Sequence, residues 1–192
     1  PYQLINDSNV KKSEVYLEMQ KSWGELTSTE IMGRLSSHQK DYMDVCSGEA
    51  KYCNKHDKRL EKQLAALREL HQPTSTYPFL MQLSFARRND ELTINDALQG
   101  LRLVESFLVR RAVCGNAPTG LHAVFKRLWD DQAKNDRDLA RLPFVERLAK
   151  VLQGHRTLEW PTNEEFKKSL QERPLYLAGV TPYVLLEWDR SR

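Results

Sequence analysis

Disulfide frameworks, membrane spans and phosphate-binding loops are all missing from this sequence, and each absence narrows what it can do. Cysteine occurs three times, as Cys46, Cys53 and Cys114, in no even set and no CxxC pair. That usage predicts reduced thiols in a cytoplasmic protein rather than disulfides or a zinc site. No apolar run approaches the ~18 residues of a membrane span, and no basic-then-apolar leader opens the chain. The first residue is Pro1 rather than Met, which fits a processed start or an excised piece. No GxxxxGK[ST] or GxGxxG loop is present to cradle a phosphate. HExxH and the EF-hand carboxylate pattern are also missing. The five histidines, His38, His56, His71, His122 and His155, are scattered singly. The expectation is a chain with no catalytic residue, no metal and no cofactor of its own.

What is present is a helical, soluble composition. Of 192 residues, 40% are hydrophobic and 29% charged, and glycine and proline number only 8 each. This suffices for a buried core and excludes a disordered tail. The net charge of +3 permits nucleic-acid contact without demonstrating it.

Helical periods run through the whole chain, and strand alternation is scarce. Ser13 to Trp23 forms a short helix. Thr27 to Glu30 is a capping box launching a helix through Ile31, Leu35, Tyr42 and Val45. A third helix follows Gly48 and runs to about Gln72 with Cys53, His56, Leu60, Leu64, Leu67 and His71 on one face. Cys53 and His56 could sit on adjacent turns as ligands, but lying on that apolar stripe they read as core. Pro78 suits the first turn of the next helix, where its missing amide costs nothing. A long helix starts at Thr93 and stops at Gly115. Pro118-Thr119 then restarts the chain into Leu121, Val124, Phe125 and Leu128. Pro143 interrupts the following segment, and Thr162 to Glu165 is a second capping box. The expected architecture is all-α, an irregular bundle of about seven to nine helices with a central buried helix. Residues 1–154 form the bundle in this reading. Residues 155–192 form a helical linker ending in YVLLEWDRSR, which looks like a helix cut short.

The long helix is apolar on two sides. Ile94, Ala97, Leu98, Leu101, Val104, Leu108 and Ala112 fill one, and Leu103, Phe107 and Cys114 lie nearly opposite, so neighbours should enclose it. Glu105 falls within the first side. A carboxylate there needs a partner, because desolvation is costly. Arg110 and Arg111 in the last turn suit the helix dipole and, with Glu105, are expected to make ion-pair struts between helices. The exposed doublets Arg87-Arg88, Arg110-Arg111 and Lys126-Arg127 are the candidates for duplex DNA contact. Arg34 and His38 have the residue types of a helical ribonuclease pair, with three intervening residues where such enzymes show four to six.

The stretch VESFLVRRAVCGNAPTGLHAVFKRL resembles one in GmrSD-type restriction proteins, where a helix ending in LVRR meets a cysteine-glycine break. Tyr77-Pro78-Phe79-Leu80 before it, Thr162 to Tyr176 after it, and Tyr183 to Trp188 near the end resemble further segments in the same order. The similarity covers roughly residues 73–188. Members of that family join an N-terminal ParB-like nucleotide-hydrolysing domain to a C-terminal His-Asn-His nuclease, and cut foreign DNA. Neither catalytic motif occurs here. The resemblance therefore implies a non-catalytic helical region connecting the two, with the flanking domains as its partners. A stand-alone helical binding module is the alternative.

Overall fold

In a computed structural model the described residues are 10–11, 13–51, 57–71, 73–133, 139, 141–155 and 158–192. They contain ten α-helices and no strand, as the periodicity predicts. In chain order the helices are α1 (Val15–Trp23), α2 (Ser28–Ser47), α3 (Lys58–Glu69), α4 (Tyr77–Arg88) and α5 (Ile94–Cys114). There follow α6 (Leu121–Phe125), α7 (Leu128–Gln132), α8 (Phe144–Gln153), α9 (Asn163–Glu172) and α10 (Thr181–Arg190). Short 3-10 turns at Thr74–Thr76 and Leu175–Leu177 lead into α4 and towards α10. The count exceeds the expected range because residues 121–132 form two five-residue helices instead of one.

Local chemistry sets the ends of these elements. The Thr27 and Thr162 side chains accept from the Glu30 and Glu165 amides, and each glutamate reaches back to the cap amide. Thr93 caps α5 through the Asp96 amide. Gly115 ends α5 with φ of 76°, a left-handed conformation that a side chain would strain. A Cβ there would also strike the Arg173 guanidinium.

α5 is the axis of the bundle, with α3, α4, α8 and α9 packed around it. Ala97, Leu98, Leu101, Val104, Phe107, Leu108 and Val113 are buried along it. Leu103 and Cys114 are only partly covered, so the second apolar side is narrower than the wheel suggests. At Gly100 the helices come close: a Cβ there would lie 2.9 Å from Leu83 and 3.1 Å from Phe144. A run of aromatic contacts crosses the core, from Trp160 to Phe107 (5.3 Å), Phe125 (6.1 Å), Phe79 (6.4 Å), Trp129 (6.2 Å) and Phe144 (6.0 Å) between successive ring centroids. Helices as short as α6 and α7 do not persist alone. Phe125 and the neighbouring Trp129 tie them to this aromatic run.

Residues 158–192 do not leave the bundle. Leu158 is buried under Gly120, α9 lies along α5, and Val180 and Tyr183 are buried. The break at residue 154 is thus a change of helix rather than a loss of packing. His71, expected on the apolar face of the third helix, lies past the end of α3, exposed and with φ of 52°. Cys53 and His56 lie outside the described residues. α1 buries none of its residues.

Candidate functional site

Two groups of polar side chains sit on α5, one at its middle and one at its C-terminal turn. At the middle, Glu105 accepts from the Gln63 amide on α3 through one oxygen and from the Tyr183 hydroxyl on α10 through the other. Burial, reinforced by the adjacent carboxylate, holds the Tyr183 phenol well above its ordinary range. It therefore remains a donor at any physiological pH. The partner expected for Glu105 was arginine; the structure supplies two neutral donors. The helix explains why: at ~100° per residue, positions 110 and 111 project about 140° and 240° away from position 105.

At the C-terminal turn the arginines do join helices, through neutral oxygens. Arg110 donates to Ser106 Oγ, to the Pro161 carbonyl (3.2 Å) and to Asn163 Oδ1 (2.7 Å), and its guanidinium lies 5.2 Å from the Phe166 ring. Arg111 is 6% exposed and donates to the carbonyls of Glu159 (2.8 Å) and Ala117 (2.7 Å). Burial lowers its pKa, with the Glu159 carboxylate acting in the opposite sense. Arg173 donates to the Val113 carbonyl at 2.7 Å. Three guanidinium groups thus take up carbonyls at and around the end of α5, where the helix dipole favours cations.

The other predicted basic residues also have partners inside the chain. Arg88 meets Asp41 through two bonds (2.8 and 3.2 Å) and donates to the Ser37 carbonyl, with side-chain exposures of 15% for the arginine and 2% for the aspartate. Arg87 pairs with Asp90 at 2.9 Å, Lys126 reaches the Val10 carbonyl at 3.3 Å, and Arg127 lies 3.7 Å from Asp131. Arg88, Arg110 and Arg111 are thus joints of the fold, whereas Arg87 and Arg127 make local pairs. Buried Asp41 carries no sequence signal beyond its spacing, three residues after His38 and four before Val45, on the face of α2 turned to α4.

Arg34 and His38 do not form an open pair. Arg34 is exposed, whereas the His38 ring packs on Phe85 at 5.0 Å, and its Nδ1 is buried with no hydrogen-bond partner among the described residues. Burial lowers the His38 pKa, opposed by Asp41 and assisted by Arg88. Cys46 lines a cleft of about 240 Å³ with Val45, Arg68, His71 and Tyr77. Among the described residues no three His, Cys, Asp or Glu side chains are grouped to hold a metal, and no helix is long and apolar enough to cross a membrane.

Comparison with known proteins returns no matching family model, no matching curated protein and no matching solved structure. The architecture itself defines the class: an all-α, multi-helix protein built around one enclosed helix.

Proposed function

We propose that this chain is a non-catalytic helical scaffold that connects the working parts of a restriction-type DNA endonuclease in the cytoplasm. The carrying observation is the character of α10, the helix whose sequence resembles the one leading towards the nuclease in GmrSD-type proteins. One face is bonded to the bundle through Tyr183. Leu185, Leu186 and Trp188 are 62%, 46% and 63% exposed. A connecting helix needs this division, one face for the scaffold and one left for a neighbour.

The segments that carry the resemblance also have structural work to do. VESFLVRR forms the enclosed part of α5, YPFL opens α4, and the stretch from Thr162 supplies α9 and its cap. Contact with duplex DNA, in this reading, is a weak backbone contact by cations such as Arg127, whose side chain is 43% exposed. Phosphate contacts alone give loose, sequence-blind and salt-sensitive affinity. The alternative of a stand-alone protein-binding module draws on a different observation, the exposure of Tyr16, Leu17 and Met32 on α1 and α2.

Nuclease and nucleoside triphosphatase assays on the purified chain, with Mg²⁺ or Mn²⁺ and ATP or GTP, test the proposal. The expected result is no turnover. Cleavage that co-purifies with the chain and disappears in His38→Ala would replace the scaffold reading with the ribonuclease-like one.

A further inference from the structure

α10 is attached to the bundle in a manner unlike any other described helix of its length. Its main backbone neighbour is the 3-10 turn that precedes it. The bulk of its apolar surface is turned outward at Leu185, Leu186 and Trp188, and among its own residues only Tyr183 is buried. Two long side chains span the distance to the bundle. Tyr183 reaches Glu105 on α5, and Arg190 reaches Glu69 on α3 at 3.1 Å while also bonding Glu187 at 2.6 Å. Tyr183 and Arg190 are seven residues apart, two helical turns, and so share one face. Their partners on the bundle include Gln63 and Glu69 of α3: Gln63 shares the Glu105 carboxylate with Tyr183, and Glu69 takes Arg190.

We propose that α10 is a releasable strap: breaking the Tyr183–Glu105 hydrogen bond frees residues 181–190 from the bundle while the core around α5 stays folded. The chemistry gives the latch its character. Glu105 is half-buried, so when the strap leaves, water can replace the lost donor at the carboxylate. Gln63 continues to hold the other oxygen. The Tyr183 hydroxyl is solvated on release in the same way. That exchange of one polar partner for water is nearly balanced; release also withdraws the Tyr183 ring and Val184, which pack on the core and keep the strap docked. The second anchor, Arg190 with Glu69, is a surface pair of small strength. A ten-residue helix does not persist alone in water, so release and fraying of α10 are one event. Any ligand or neighbouring surface that binds the released segment better than the docked one shifts this equilibrium. The latch rests on these contacts and stands independently of the endonuclease reading.

Native-state hydrogen exchange on the intact chain tests it, with residues 94–114 as the internal reference. In the unaltered protein, residues 181–190 should exchange well before 94–114, through local opening. Tyr183→Phe keeps the ring and removes the latch. It should speed exchange of 181–190 by about tenfold, with 94–114 still exchanging far more slowly. Arg190→Ala should give a smaller increase, about twofold. Leu185→Ser, on the outer face, should raise exchange far less than Tyr183→Phe. Two results would overturn the proposal: a single common exchange rate for 181–190 and 94–114, or unchanged exchange of 181–190 in Tyr183→Phe.

Discussion

α8 and α10 are both ten residues long, yet they are held by different physics. α8 turns Phe144, Leu148 and Leu152 into the groove between α5 and α7, all three buried, and Phe144 closes on Gly100. α10 buries Tyr183 and hangs on a carboxylate and a surface ion pair. The first attachment is made of many small dispersion contacts that water cannot replace. The second is made of one buried ring, the partly covered Val184 and a few polar bonds for which water can substitute. Helix length and propensity do not separate the two; what faces the bundle does.

Polarity is not the whole difference, and the largest expected effect shows it. Arg88→Ala would strand the Asp41 carboxylate in the α2–α4 seam, and breaking such a buried pair costs about 3–5 kcal/mol. Chemical denaturation should report that loss with the m-value little changed. If the cost is below that of a surface pair, the contrast between a dry joint and a wet one fails. Leu148→Ala, at a fully buried position, should cost about 2–5 kcal/mol by transfer and cavity terms, in one cooperative transition that includes α5. A loss confined to α8, seen as local exchange, would place α8 in the same category as α10.

Tyr183→Phe should lower the global unfolding free energy by only about 1 kcal/mol, because the bond is half-wet and its loss is absorbed locally. Unfolding in urea measures this. A loss as large as that of Leu148→Ala would make α10 an integral part of the core. The pH dependence of the same residue has a definite sign. Its phenol is raised in the folded protein, whereas the unfolded chain releases the proton near the ordinary value of about 10. The stabilisation is therefore complete below pH ~10 and is lost as pH rises further. Thermal unfolding followed from pH 9 upward should show a falling midpoint, and the fall should be shallower in Tyr183→Phe. Tyr42 and Tyr77, both also raised, act in the same direction. The smallest effect belongs to Arg190→Ala, the loss of one surface pair, since both Arg190 and Glu69 are over a third exposed. Added salt should erase it, and an undiminished effect at high salt would assign Arg190 a packing role.

Much of this molecule was determined by short stretches of sequence. The capping boxes at Thr27 and Thr162, the left-handed stop at Gly115, the proline in the first turn of α4 and the enclosure of α5 all depend on residues within about four positions of one another. Such spacing fixes a helix face or a helix end before any tertiary contact forms. That Glu105 would need a partner was equally local, since it lies within an apolar face. Which partner it takes was not. Gln63 is 42 residues away and Tyr183 is 78, and both belong to helices whose own patterns do not mention α5. The same holds for Arg88 and Asp41, separated by 47 residues. It holds also for the arginines at the end of α5, which take carbonyls from the segments before α6 and α9. Helical periodicity states that a side chain will be buried. Only the packing of helices, which brings distant polar groups within hydrogen-bond reach, decides what satisfies it there, and so decides that α8 is locked and α10 is latched.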